Sequence, residues 1–353
     1  MFVIFAIIIF GLLIAVHEFG HFIAAKSLGV QVNEFALGMG PVVYQNTKHE
    51  TVFSLRLLPV GGFCAMEGED ESSDNPKAFT SQSAWKRIII LAAGSFMNFL
   101  TGFLIACIIF SHNSYFVTRT IDGFLGDVEY SGASGIQPGD TIVGIDGEHI
   151  WTNSDFDLVM SRSEDDYYDI RVIRDGKPLL LEELHIYKQD FDVEGQQEHL
   201  FGMKLRVEEK NALNVLKYSW FNAMDFVKMV RLGLTDLISG NAGFNDMSGV
   251  VGIVDTMNEV GTQSETITIG FLNVGYLGAF IAVNLAVMNM LPLPALDGGR
   301  VFFLIITELI ERITRRKLDP KYEGYIHMAG LFLLLGLMLL VTANDILKLI
   351  GLK

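Results

Sequence analysis

The residues with the clearest chemistry are His17-Glu18-Phe19-Gly20-His21. Two histidines at i and i+4 share one helix face, so both imidazoles can reach one Zn²⁺. Glu18 stands beside them and can take a proton from an activated water. The run Met1–Ala25 holds no Lys or Arg, and its only strongly polar side chains are these three. An ionisable group in an apolar span costs roughly 3 kcal/mol or more, so such groups persist where they bind something or line a wet cavity. That weighs against the plainer reading of two core histidines and a glutamate satisfied by hydrogen bonds.

A catalytic zinc takes three protein ligands and leaves one position open. The third candidate is Asp297, in Asn289-Met-Leu-Pro292-Leu-Pro294-Ala-Leu-Asp297-Gly298-Gly299. Two prolines end the preceding helix, and the glycine pair allows close backbone approach. The competing role for Asp297 is a cap on the helix that starts near Gly299. Depth favours the metal. The first apolar run, directed inward, carries His17 and His21 in its cytoplasmic half, and the third also runs inward and ends shortly before Asp297.

These residues must be held by membrane helices. Half of the 353 residues are hydrophobic, 19% are charged, and the mean hydropathy is +0.37. Four apolar stretches reach spanning length: Met1–Ala25, Ile88–Phe110, about Ile267–Leu291 and about Ile326–Val341. A signal peptide is the rival for the first, but it has neither a basic start nor a small-x-small end. The loop 29–87 carries Lys48, Arg56, Lys77, Lys86 and Arg87. The short loop after the third span carries Arg300, Arg312, Arg315, Arg316, Lys317 and Lys321. The positive-inside rule places both loops in the cytoplasm, and both termini outside. Between residues 111 and 270, 12 basic side chains face 27 acidic ones, which accounts for the whole formal charge of −15. This outer segment is soluble and unsuited to nucleic acid. Cys64 and Cys107 read as unpaired thiols.

The expected fold is a multi-pass α-helical membrane protein of about four transmembrane helices. Residues 1–116 form the first half of the membrane core, with a cytoplasmic-side β-hairpin over 42–63. Val42–Tyr44 and Thr51–Leu58 supply its strands, and a polar, acidic loop follows over Glu67–Pro76. Residues 117–188 form an extracytoplasmic β-rich domain, marked by Gln137-Pro138-Gly139-Asp140 and two Asp-Gly turns. Residues 189–265 form a linker segment in which 212–238 has helical periodicity, facing either the membrane or a core. Residues 266–353 complete the membrane core.

HEFGH at 17–21, FALGMGP at 35–41, SLRLLPVGGF at 54–63 followed by Met66-Glu67-Gly68-Glu69-Asp70, and NMLPLPALDGGR at 289–300 together resemble the site-2 protease family, in its bacterial form. The resemblance covers nearly the whole chain. The outer domain is similar to a single PDZ domain, most clearly over IQPGDTIVGIDG at 136–147. The resemblance implies one catalytic Zn²⁺ on His17, His21 and Asp297, with Glu18 as general base. It also implies that the hairpin around Thr51–Leu58 adds a strand to the unwound substrate by pairing it to an edge strand, with Ser54 and Leu55 in contact with the substrate, and that Asn98 and Asn289 touch the substrate backbone. Gly94-Ser95-Phe96-Met97-Asn98 departs from the family's usual Gly-Pro before that asparagine, which removes one source of a kink there. The carboxylate-binding loop of the PDZ-like domain is not evident, which points to a steric gate. The implied substrates are single-span membrane proteins trimmed on their outer side, such as anti-sigma factors or signal-peptide remnants, cleaved in the cell membrane. Two rival classes are a catalytically silent membrane scaffold, which has no need of Glu18, and a zinc or proton transporter, which would show repeated spans.

Overall fold

A computed structural model of the chain describes all residues except 70–72, 164, 194, 244–245, 316–320 and 351–353. Asp70, Arg316 and Lys317 of the sequence motifs therefore lie outside the described residues. The elements in chain order are α1 (Phe2–Ser27), β1 (Val32–Lys48), β2 (Thr51–Met66), α2 (Ala84–Phe110), β3 (Tyr115–Phe124), β4 (Thr141–Ile145), β5 (Glu148–His149), α3 (Asn153–Met160), β6 (Tyr167–Arg174), β7 (Lys177–His185), β8 (Gln189–Val193), β9 (Gln196–Leu200), β10 (Met203–Glu209), α4 (Ala212–Ser239), α5 (Val250–Gln263), α6 (Ile267–Asn289), α7 (Asp297–Thr314) and α8 (Lys321–Leu349). Four of them, α1, α2, α6 and the Gly324–Leu349 part of α8, are long and apolar enough to cross a membrane. The chain divides into two compact units, one of Met1–Ile105 with Met229–Lys353 and one of Ala106–Lys228.

In the first unit α1 presents Phe2, Ala6, Ile9 and Leu13, one stripe at helical spacing, to Met257 of α5 and to Val274, Ile281 and Ala282 of α6. Gly261 and Gly270 make room for the Phe2 ring. A Cβ on either would come within 2.7 Å of it. The C-terminal end of α1 packs with Val32, Phe35, Cys64 and Met66 of the strands and Ile90 and Leu91 of α2. Phe22 contacts both Phe35 and Phe53 edge-on or tilted. This core fixes the sheet against the histidine helix.

The hairpin expected over 42–63 is part of a larger sheet. Residues 51–56 pair with 42–48 on one side and with 34–37 on the other, and 62–66 pair with the far side of 32–37. The two long strands thus fold back on themselves, in the order 42–48, 51–56, 32–37, 62–66. Gly38 allows the fold: its φ is +85°, and a Cβ there would lie 2.5 Å from the Leu58 carbonyl oxygen.

A carboxylate from the last span closes this unit. Asp345 of α8 is buried, and its Oδ2 accepts hydrogen bonds from Gly249 N and Gly252 N, both at 2.9 Å. It caps the first turn of α5, whose own N-cap residue Gly249 has no side chain to do so.

The second unit is built on the antiparallel sheet β10-β3-β4-β6-β7, with β5 paired to β4. Ile121, Ile136, Ile142, Ile145, Ile150, Tyr168, Ile170 and Val172 fill its core. The sheet does not end at residue 188, where the sequence marks the end of the β-rich domain, because β10 (203–209) returns to pair with β3. The hairpin β8–β9 between them is polar and mostly exposed, which gives it the look of a linker in sequence. α4 also differs from its apolar pattern. It buries Ser219, Asn222, Asp225 and Lys228. Lys228 Nζ donates to both Asp155 oxygens at 2.6 Å and also to the His149 carbonyl, and Thr152 donates to Asp225.

Burial, and then the neighbouring Asp155 carboxylate, push the Asp225 carboxyl up to about 8. A carboxyl raised on folding contributes stability below its ordinary value of 3.8 and loses it as pH rises towards about 8. Thermal unfolding of the detergent-solubilised chain should therefore show stability falling over that window, with a flatter profile in Asp225→Asn. Asp345→Ala leaves two helix N–H groups without their acceptor, which should destabilise the chain by about 1–3 kcal/mol in the same assay.

Candidate metal centre

The expected ligands come together. His17 Nε2 and His21 Nε2 are 3.2 Å apart, and Asp297 Oδ2 lies 3.1 Å from the first and 3.4 Å from the second. Among the described residues they are the group of His, Cys, Asp and Glu side chains that could hold a metal ion. At zinc–ligand bonds of about 2.0–2.1 Å, a tetrahedral site separates its ligand atoms by roughly 3.3 Å. The three observed separations bracket that figure.

Tautomers strengthen the fit. His21 Nδ1 lies 2.8 Å from the carbonyl oxygen of Ile90 and donates to it. The ring proton is then on Nδ1, and Nε2 presents a lone pair. Asp297 Oδ2 is buried and has no hydrogen-bond partner among the described residues. Lone pairs that converge at this range without a proton between them repel unless a cation sits among them. The donor set of two imidazoles and a carboxylate suits zinc.

Each ligand is placed by a different device. In α1 the helical turn brings His17 and His21 together, with ring centroids 4.8 Å apart. Beside them, α2 comes so close that a Cβ on Gly94 would lie 2.4 Å from His21 Nε2, and one on Gly20 would lie 2.4 Å from the Ala93 carbonyl oxygen. Asp297 opens α7 and is held there by the two buried glycines that follow it. A Cβ on Gly298 would lie 2.3 Å from the Met290 backbone, and one on Gly299 would lie 2.0 Å from the Leu293 carbonyl oxygen. Arg300 in the same turn is ion-paired with Glu69.

Glu18 is half-buried on α1, and Gly62 at the end of the sheet comes within Cβ-contact range of its Cγ, 3.5 Å. The open edge of the sheet, 62–66, therefore passes beside the general-base candidate. Ser54 and Leu55 do not lie on an open edge. Ser54 is buried and pairs with Ala36 and Gln45, and Leu55 pairs with Leu37 and Tyr44. Their strand is interior because the chain folds back at Gly38, a turn that hydrophobic patterning does not register. The sheet has two edges, 42–48 and 62–66, and the one beside Glu18 is 62–66, whereas residues 51–56 are interior.

Asn98 is buried on α2, with Nδ2 3.4 Å from His17 Nδ1 and Oδ1 without a partner. A half-turn of the amide sets Oδ1 against the ring, where it accepts from Nδ1–H and leaves His17 Nε2 free, as Ile90 does for His21. Asn289 is the half-buried last residue of α6, ahead of the loop that leads to Asp297. Sequence reading missed the clearance glycines Gly20 and Gly94. Their signal was small residues facing each other across two apolar runs. It also missed the Ile90 carbonyl, which no side-chain pattern announces.

Residues 5–337 match the sequence model of the family described as peptidase family M50. The chain is 33% identical over 353 residues to a Clostridium perfringens protein named provisionally as a zinc metalloprotease, with 98% of each chain covered. It is 28% identical over 426 residues to the Bacillus subtilis regulator of sigma-W protease RasP, and 27% identical over 421 residues to the zinc metalloprotease RasP of Geobacillus kaustophilus, with 97% of each chain covered in both cases.

If Asn98 orients His17, Asn98→Leu should weaken zinc affinity by about 10–100-fold. Zinc retained per chain against graded chelator measures it, and unchanged retention would remove Asn98 from the metal's support.

Proposed function

The chain belongs to peptidase family M50, the site-2 protease family, and from that premise we propose that it cuts peptide bonds inside the spans of single-span membrane proteins, with His17, His21 and Asp297 holding its zinc. The observation that carries the ligand assignment is the convergence of two imidazole nitrogens and a carboxylate oxygen at 3.1–3.4 Å, at the spacing of a tetrahedral zinc site. The protein is a zinc metalloprotease of the membrane, in keeping with its relatives and its four apolar helices.

A bound zinc supplies Lewis acidity, which polarises the peptide carbonyl and makes water acidic enough to attack near neutral pH. The chain's own residues do the rest. The Glu18 carboxylate accepts the proton of the attacking water and passes it to the nitrogen of the leaving amine. The carbonyl of Ile90 and the amide of Asn98 hold the imidazoles so that both Nε2 atoms face the site. No covalent bond between enzyme and substrate is needed.

A peptide bond within a helix is shielded by its own hydrogen bonds, so the substrate must unwind before it is cut. The edge 62–66 beside Glu18 offers the unwound chain a ladder of backbone partners at the point of attack. This edge takes the role that the sequence assigns to Thr51–Leu58. Asn98, beside His17, and Asn289, at the end of α6, are the further backbone contacts of this reading.

The outer unit acts as a PDZ-like domain that filters substrates by the size of what remains outside the membrane. Its antiparallel sheet with the short helix α3 supports that reading, as does a cavity of about 320 Å³ between α3 and β10, lined in part by Phe156, Met203 and Leu205. The proposed site faces the cytoplasmic side of the cell membrane, with both termini and the outer unit on the other side, a reading that the basic loops support. Substrates are outer-trimmed proteins such as anti-sigma factors or signal-peptide remnants. One relative's name, regulator of sigma-W protease, supports the first class.

The test is co-expression and reconstitution with a tagged single-span substrate. Glu18→Gln should retain zinc yet lower cleavage by about 10²–10⁴-fold or more. Cleavage that survives this substitution, or survives full removal of zinc, would sink the assignment.

A further inference from the structure

We propose that His327 of α8 is a positioning residue for Asp297, acting as a latch that holds one peptide plane of the ligand loop in the orientation the metal site needs. The inference rests on Asp297 being a zinc ligand. Asp297 is delivered by the turn Leu293-Pro294-Ala295-Leu296, closed by a hydrogen bond from Leu296 N to Leu293 O at 3.2 Å. Proline stands at the second position, and at the third Ala295 has φ +72°. A turn with proline second and a positive φ third is of type II, which ordinarily takes glycine at that third position. An alanine there favours the alternative, type I, reached by flipping the Pro294–Ala295 peptide. The flip reverses the direction of the Ala295 N–H.

His327 opposes that flip. Ala295 N donates to His327 Nδ1 at 3.1 Å, a bond that exists only in the observed orientation. The acceptor role puts the ring's proton on Nε2. The ring is held against Phe303 of α7, with centroids 5.3 Å apart and planes at 72°. One turn along α8, Gly330 lets the helix come right up to the loop: a Cβ there would lie 2.3 Å from Pro294 Cβ. α8 thus clasps the turn with an acceptor and a gap, two residues before the carboxylate. The neighbouring residue Leu296 is extended, and Asp297 starts α7 directly after it. A flip at 294–295 therefore swings the carboxylate relative to the two imidazoles on α1.

The turn chemistry supplies an internal control. Glycine adopts the left-handed conformation freely, so Ala295→Gly should remove most of the need for the latch. The experiment measures zinc retained per purified full-length chain against graded chelator, together with kcat and KM for a single-span substrate. His327→Ala should weaken zinc retention by about 10-fold or more and lower kcat while leaving KM in place. His327→Asn, which keeps an acceptor at the position of Nδ1, should stay within about threefold of the parent on the same scale. The double variant Ala295→Gly/His327→Ala should recover most of the loss. The latch is overturned if His327→Ala holds zinc like the parent, if His327→Asn is as impaired as His327→Ala, or if the double variant gains nothing. A parent chain that binds no zinc would sink the ligand assignment itself, and the latch with it.

Discussion

Everything in the membrane unit serves one unfavourable act: keeping two imidazoles and a carboxylate with their lone pairs face to face in an apolar bundle. Without a cation, the three acceptors at 3.1–3.4 Å repel one another, and each has also lost its water. The site can exist only because the scaffold resists its collapse. The resistance is distributed over α1 stitched to α6 through Phe2, Ile9 and Leu13, α2 drawn in over Gly20 and Gly94, and α7 locked by Gly298 and Gly299. Glycine recurs at these points for the same reason each time. A methyl group would force the helices apart by more than the reach of the ligands. The chemistry is thus bought with close backbone approach, which in a bilayer is also how helices gain packing where no hydrophobic driving force separates them from lipid.

That constraint explains what could be read from the chain alone. His17, Glu18 and His21 stand out because polar groups are costly within an apolar run and because i, i+4 spacing has one geometric meaning on a helix. Asp297 stands out because Pro292 and Pro294 break a helix at spanning depth, where broken backbone needs a reason. The four spans follow from length and hydropathy. What the sequence hid were features set by tertiary approach. Patterning marks 51–58 as a strand but does not say that it lies inside the sheet, since that follows from the reversal at Gly38. The apolar periodicity of 212–238 is real, yet the face it packs carries Asp225 and Lys228, satisfied by partners some 70 residues earlier that local sequence cannot reveal. The alternation that ends near 188 gives no hint that β10 returns to the sheet edge.

The fold-back of the first sheet also resolves a difficulty in the proposed chemistry. An interior strand has no hydrogen bonds to give, so a substrate paired to 51–56 would have to displace 34–37 or 42–48, both of which are already in register. The edge 62–66 has one side engaged by 32–37 and, among the described residues, no strand on the other. Cys64 and Met66 anchor it by turning their side chains into the core, and Gly62 has no side chain to stand between the edge and Glu18. An exposed edge is ordinarily a liability that proteins cover or charge. Here it lies beside Glu18 of the histidine helix, where the substrate of the proposed reaction would complete it.

Depth then sets the order of events. A helical substrate presents no free backbone to an edge strand, and an unwound one cannot remain in lipid without partners for its N–H and C=O groups. In the proposed reaction, unwinding and strand addition are therefore coupled, with the hydrogen bonds gained at 62–66 offsetting those lost in the substrate helix. Such coupling would select substrates by the stability of their own helix near the cut, independently of side-chain pockets. It also accounts for a site that is rigid in its ligands but bordered by backbone. The metal ligands need fixed positions to hold a cation, whereas the recognition surface needs only a ladder that any sequence can join.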